Sequence, residues 1–300
     1  MFYGWLNLLG MGYSLFMVVA LAAVNVLETC PALYDDCDTC PALYDDCDVP
    51  IFNATIIVFQ ICANLFLIQY SMRINRVSYW TLNSASLLPR TSSPLQPHDD
   101  NSGRFCDECG INAPRRSHHC PLCRVCVLRC DHHCFMTGAC IGIANQRYFV
   151  VFLFWVCIGA AYGITYMLAY MNRFIAPNSP YGYATYLAPF ACIQWLIGNL
   201  TGFQVFMSVL LCIAISATTA AVAFLAAQMF YISRGYTMFD YHNYRTKHNL
   251  EGDGKNLSER LALVFGRNWL LNFVFPQFWN PNVLTAEIAQ NIFRVTSKDV

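Results

Sequence analysis

Four long apolar runs, set apart by polar stretches, organise the chain. Phe2 to Leu27, Pro50 to Met72, Tyr148 to Tyr170 and Phe203 to Ile232 contain no charged residue. A bilayer core of about 30 Å takes roughly 20 helical residues at about 1.5 Å each, so each run is long enough for a transmembrane helix. Sixty uncharged residues separate Arg173 from Arg234, room for two spans. Within them, however, Leu187 to Leu200 is a short apolar piece interrupted by Pro189, which predicts an interfacial or re-entrant segment. The expected fold is an all-α polytopic membrane protein of four transmembrane helices. Residues 1–72 hold the first two helices with a loop at 28–49, and 148–233 hold the last two with a second loop. Between the pairs come a Ser, Pro and Asn-rich tether that fills most of 73–103 and a cysteine-rich segment at 104–147; residues 234–300 form a tail.

Composition agrees. At 56% hydrophobic and 12% charged, the chain lies outside the usual range of soluble domains and is not expected to be a soluble enzyme. Its formal net charge is zero, so no basic footprint for nucleic acid is present and none is expected as a partner. The distribution is informative. Of 18 Lys and Arg, nine fall between Arg73 and Arg147 and eight between Arg234 and Lys298, whereas seven acidic residues crowd into Glu28 to Asp48. The positive-inside bias then places both termini, the 73–147 loop and the tail in the cytosol. A cleaved signal peptide ending near Ala22-Ala23-Val24 is the competing reading of the first span, but it lacks a basic n-region. No address signal narrows the location beyond endomembrane (Golgi or ER) or plasma membrane.

The first lumenal loop repeats TCPALYDDCD at Thr29–Asp38 and Thr39–Asp48. Cys30, Cys37, Cys40 and Cys47 would face an oxidising compartment and allow three disulfide pairings. A duplication in a tolerant loop accounts for it; an acidic metal-binding cap is the alternative. Asn53 and Asn199 match the glycosylation triplet but lie too near the membrane to be used.

Between Cys106 and Cys140 fall eight of the 16 cysteines and four of the seven histidines. In a reducing cytosol, paired C-x-x-C units with interleaved histidines point to structural zinc, which takes four thiolate or imidazole ligands in a closed tetrahedron. Two such sites would not use every candidate. Spacing alone leaves open which thiols stay free, and a free one is where chemistry would occur.

The spacing from Cys106 to Cys140, followed by Asn145 and Phe149, resembles the cysteine-rich domain of DHHC-type protein S-acyltransferases (palmitoyltransferases), which lies in the cytosolic loop between the second and third of four spans. The resemblance implies one zinc on Cys106, Cys109, His119 and Cys126 and a second on Cys120, Cys123, His133 and Cys140. It leaves Cys134 as nucleophile, His132 as its base and Asp131 as the group that orients the base. Cys134 would take a long-chain acyl group from acyl-CoA such as palmitoyl-CoA and pass it to cysteines of membrane-associated substrate proteins. A long acyl chain gains about 0.8 kcal/mol per buried methylene, so the site should open on the lipid bilayer. Gly159, Ala160, Ala161 and Gly163 would leave room for that chain or serve close helix packing. Arg115, Arg116, Arg124, Arg129, Arg147 and Arg234 are the cations near the motif available to CoA phosphates, with no choice among them.

The chain departs from the family pattern in two places. Phe135-Met136 stands where Pro-Trp usually follows the cysteine, and Thr237-Met238-Phe239-Asp240 where Thr-Thr-x-Glu is common. Asn256 and Val264-Phe265-Gly266 resemble the family's tail segment. Cys130 and His118 are surplus to the motif, and Cys62, Cys157, Cys192 and Cys212 read as small hydrophobes. These departures admit a partner-dependent enzyme with an accessory subunit, or a zinc-domain membrane scaffold. A cation transporter is disfavoured, because the spans carry no ionisable residue of the kind that lines ion pathways.

Overall fold

The computed structural model describes residues 2–35, 48–79, 104–114, 116–243 and 252–277. Most of the tandem repeat, the linker from residue 80 to 103 and Arg115 lie outside the described residues. Each apolar run forms a helix: α1 (Phe2–Val24), α3 (Asp48–Tyr70), α4 (Gln146–Tyr170) and α6 (Gly202–Arg234). With their continuations they make four segments long and apolar enough to cross a membrane: Trp5–Tyr34, Val49–Arg73, Gln146–Ile175 and Gly202–Arg234.

The segments outrun the apolar stretches that predicted them, because a charge ends a hydrophobic run without ending a helix. After α1, a wide turn over Asn25–Thr29 leads into α2 (Cys30–Asp35), and the Thr29 hydroxyl donates to the Asn25 side-chain oxygen at 3.1 Å. Cys30 is disulfide-bonded. Leu187 to Leu200 also differs from its reading. Pro189 sits in the first turn of α5 (Ala188–Leu196), where a missing N–H costs nothing, so it starts this helix and does not interrupt it. At nine residues, about 13 Å, α5 is too short to cross.

The chain divides into two compact units. One comprises residues 13–62 and 153–224 and is helical. Its core is rich in methionine: Met17, Val24, Met167, Met171, Ile175, Met207, Leu210 and Leu211 are buried together. A Cβ on Gly159 would come within 2.6 Å of Ile57, and one on Gly163 within 2.9 Å of the Asn25 amide. These two glycines therefore sit at close helix approaches, as the packing alternative expects.

The other unit comprises residues 1–12, 63–152 and 225–300. Its cysteine-rich part is β structure inserted in an otherwise helical protein. Three antiparallel hairpins follow one another: β1 (Arg104–Cys106) with β2 (Ile111–Ala113), β3 (Ser117–Cys120) with β4 (Val125–Leu128), and β5 (His132–Cys134) with β6 (Ala139–Ile141). Strands of three or four residues bury little on their own. Val77, Ala113, Leu128, Ile143 and Leu263 form one small core, and Cys120, Val127, Cys130 and Cys140 form another that is mostly sulfur. Two buried asparagines tie the hairpins to the helices. Asn75, just beyond α3, donates to the Asn145 side-chain oxygen at 2.8 Å and accepts from Ala144 N–H at 2.8 Å; Asn145 donates to Cys140 O at 3.0 Å and Ile68 O at 3.2 Å. Short helices α7 (Met238–His242), α8 (Leu257–Phe265) and α9 (Leu271–Val274) complete the tail.

Candidate active site

Hairpin register brings the cysteines and histidines into two groups. His119 lies opposite Cys126 across β3 and β4, and His133 opposite Cys140 across β5 and β6. Turns deliver the remaining thiols. In one group Cys106, Cys109, His119 and Cys126 have ligand atoms within 4.8 Å of one another; in the other, Cys120, Cys123, His133 and Cys140 do. Both histidines face the thiols with Nδ1. His119 Nδ1 is 3.5, 3.2 and 4.0 Å from the sulfurs of Cys106, Cys109 and Cys126, and His133 Nδ1 is 3.6, 3.4 and 3.4 Å from those of Cys120, Cys123 and Cys140. Ligands about 2.0–2.3 Å from a tetrahedral zinc stand about 3.6 Å apart. Three thiols and one imidazole at these separations fit structural zinc in each group, with no position left for a substrate.

Cys134 belongs to neither group. It ends β5, next to ligand His133, and the turn that follows is closed by Gly138 N–H on Phe135 O at 3.1 Å with Gly138 in the left-handed region (φ 65°). A side chain on Gly10 of α1 would collide with the Phe135 carbonyl oxygen, and Gln69 of α3 donates to Thr137 O. This close seating of the turn needs a glycine at position 10. Phe135 and Met136, flanking the cysteine, are exposed.

Asp131, His132 and Cys134 stand in line. His132 Nδ1 donates to Asp131 Oδ2 at 2.7 Å, and its ring sits edge-on to Phe149 with centroids 5.0 Å apart. Burial works against a charged imidazole, but the bonds to Asp131 and Cys134 outweigh it and raise His132 to about 9. For Cys134, burial raises the thiol, while hydrogen bonds from His132 and Thr137 hold it below its ordinary value. Cys130, four residues earlier, is the opposite case. Burial beside the Asp131 carboxylate pushes its thiol far up, so it stays a neutral thiol.

Asp131 is itself enclosed. Oδ2 also accepts from Gln228 Nε2 at 2.7 Å, and Oδ1 accepts from the Met238 N–H at 2.7 Å. Burial raises this carboxyl, yet the His132 bond and charge, helped by Met238 and Gln228, keep it below the usual carboxylate range. Behind it runs a buried ion network. Arg116 pairs with Asp240 and Asp253, and Arg129 binds Asp253 at 2.8 Å and Gln146 Oε1 at 2.6 Å. Asp240 is placed by its own helix: Thr237 and Asp240 exchange bonds as a capping box at the start of α7.

These hairpins coincide with a known sequence pattern, since the family model for the DHHC palmitoyltransferase matches residues 99–245. That match spans just under half of the chain, and over it the chain carries the pattern of the DHHC palmitoyltransferase domain. Among its relatives, Palmitoyltransferase ZDHHC22 of Rattus norvegicus is 29% identical over 190 residues, covering 63% of this chain and 65% of that protein. The Mus musculus protein of the same name is 29% identical over 179 residues, covering 59% and 60%. Putative ZDHHC-type palmitoyltransferase 2 of Dictyostelium discoideum is 32% identical over 190 residues, covering 59% of this chain and 40% of its own length. The chain thus spans less than two thirds of the length of the relatives it matches.

Within this DHHC domain the structure narrows the arginine candidates. Arg116 and Arg129 are buried in the ion network, and Arg147 is buried with its guanidinium 4.7 Å over the Tyr148 ring. None of the three is presented to a CoA phosphate, because each is already enclosed by its partners. Arg124 and Arg234 are exposed. His118 stacks on Phe239 with centroids 4.4 Å apart, away from both ligand groups. Sequence reasoning missed Asn7 of α1, whose side-chain oxygen lies 3.0 Å from His133 Nε2, as well as Gln146, Gln228 and Asp253. Three of these lie in apolar helices where a polar side chain was the one available signal, and the partners of all four are distant in sequence.

Proposed function

We propose that the chain is a multi-pass protein S-acyltransferase that uses Cys134 as its nucleophile and a long-chain acyl-CoA such as palmitoyl-CoA as donor. What carries the reading is that Cys134 stands outside both four-ligand groups, two residues from a histidine that a buried carboxylate holds and whose influence lowers its thiol. His132 takes the thiol proton, and the Cys134 thiolate attacks the thioester carbonyl carbon. The carbon–sulfur bond to CoA breaks and CoA leaves as a thiol, accepting the proton. A substrate cysteine then attacks the acyl-Cys134 thioester in the same way, releasing the Cys134 thiol. One thioester replaces another at each step, so no external energy source is required. Two zinc ions, on the ligand groups above, supply the folding energy of the hairpins, roughly 10–16 kcal/mol each in zinc-finger peptides.

In this reading, both termini and the cysteine-rich domain face the cytosol, in endomembrane or plasma membrane, and the clients are membrane-associated proteins with accessible cysteines. The positive-inside distribution of Lys and Arg supports that orientation. The test is to incubate purified protein with an alkyne-tagged long-chain acyl-CoA and follow the label before and after neutral hydroxylamine. A hydroxylamine-labile label that disappears in Cys134→Ser and persists in Cys130→Ser is expected. Label that survives in Cys134→Ser, or no label on the wild-type chain, sinks the assignment.

A further inference from the structure

The side chain behind Asp131 is an uncharged glutamine in the last turns of an apolar helix. Gln228 of α6 is fully buried, as is Gln146 at the start of α4, and both make two defined hydrogen bonds. A buried amide in a membrane-spanning helix is costly unless satisfied, which makes it a functional candidate by default.

The direction of every bond in this chain is set. Arg129 has donors only, so Gln146 must offer it Oε1, at 2.6 Å. Gln146 Nε2 is then left to donate to Gln228 Oε1 at 3.0 Å, and Gln228 Nε2 to donate to Asp131 Oδ2 at 2.7 Å. Asp131 Oδ2 is the same oxygen that holds His132 Nδ1. Arg129 is in turn anchored by Asp253 from the tail. The polarity of a guanidinium is thereby passed through two amides to the carboxylate that orients the base, and no other arrangement of the amides satisfies all four groups.

We infer that Gln228, fed by Gln146, is a positioning residue: it holds the Asp131 carboxylate in the rotamer that presents His132 Nε2 to Cys134. The inference rests on the reading of Cys134 as the nucleophile, but thiol reactivity tests it without acyl-CoA. Gln228→Met, Gln146→Met and the double variant, each close in volume to wild type, are purified in detergent. Four quantities are measured: zinc per chain, the rate at which iodoacetamide modifies Cys134 as read by peptide mass, and kcat and KM for autoacylation. Losing a hydrogen bond to a charged group predicts that Gln228→Met slows Cys134 alkylation about tenfold to a hundredfold. The kcat should fall by the same factor at unchanged KM for acyl-CoA, with two zinc ions retained. Gln146→Met should act in the same direction, and the double variant should lose no more than the worse single, because a broken relay breaks once. Wild-type alkylation rates in Gln228→Met would overturn the inference. So would zinc loss with faster alkylation of the ligand cysteines, the mark of a merely structural prop. A wild-type chain that takes no acyl label but shows Gln228-dependent alkylation would retain this inference and lose the acyl-transfer reading.

Discussion

The two groups offer the same donors, three thiols and one imidazole presenting Nδ1, yet they stand in different settings. His119 of the first turns Nε2 to Glu108 at 3.2 Å, an exposed carboxylate near the chain's own turn. His133 of the second turns Nε2 to the Asn7 side-chain oxygen on α1 at 3.0 Å, 126 residues away, and has His132 and Cys134 as its immediate neighbours. The first group closes β1–β2 onto β3–β4. The second closes the hairpin that carries the candidate nucleophile and ties it to a membrane-spanning helix. One donor set thus stands at a junction of two hairpins in one place and beside the candidate nucleophile in the other.

The comparison can be broken by removing one ligand from each group. Cys140→Ala should lose one of two zinc ions by elemental analysis and abolish acyl labelling, because β5 and β6 lose their closure at Cys134 itself. Cys109→Ala should lose one zinc as well but keep a diminished, still hydroxylamine-labile label. Equal labelling in the two variants would show that the groups are not functionally distinct.

Asp253 bridges the two halves, pairing with Arg116 ahead of β3 and with Arg129 ahead of β5. Breaking a buried ion pair typically costs about 3–5 kcal/mol, so Asp253→Asn should lower the thermal midpoint of the detergent-purified protein and loosen both groups together. Burial raises the Asp253 carboxyl, but Arg116 and Arg129 more than offset it and hold it below its usual 3.8. A depressed carboxylate contributes its stability above the unfolded value and loses it as pH falls through the folded one. The stability gap between wild type and Asp253→Asn should therefore be full at neutral pH and close below about pH 4. A gap that widens in acid would reverse the sign of this account.

Two smaller changes sharpen the contrast. Asn7→Leu removes the partner that fixes the His133 ring and should weaken zinc in the second group about 10- to 100-fold, measured by competition with a chromogenic chelator. Glu108→Gln should change the first group far less, since exposed charge pairs are worth about 0–1 kcal/mol.

Much of this was legible along the chain because the signals are local. Apolar runs name the membrane helices whatever packs against them, and C-x-x-C spacing names ligands because a turn of that length brings two sulfurs to one ion. The partition of thiols was carried by the family resemblance, and hairpin register places the same eight residues in the two groups. The start of α5 at Pro189 was misread because proline reads as a breaker until its position in the first turn is known. The arginines show a deeper limit. Arg116, Arg124 and Arg129 look alike in sequence, and only burial separates two structural guanidiniums from an exposed one.

The sequence by itself determined that the chain has four membrane-length apolar helices and a cysteine and histidine segment built for metal, because length, charge and short spacing act within a few turns of chain. Only the tertiary structure decided what surrounds Asp131. Gln146, Gln228, Met238 and Asp253 come from three helices and the tail, and no local rule predicts that their hydrogen bonds meet. Burial makes that meeting obligatory: away from water, each donor must find an acceptor on another segment, and the fold that supplies all of them also orients the histidine beside Cys134.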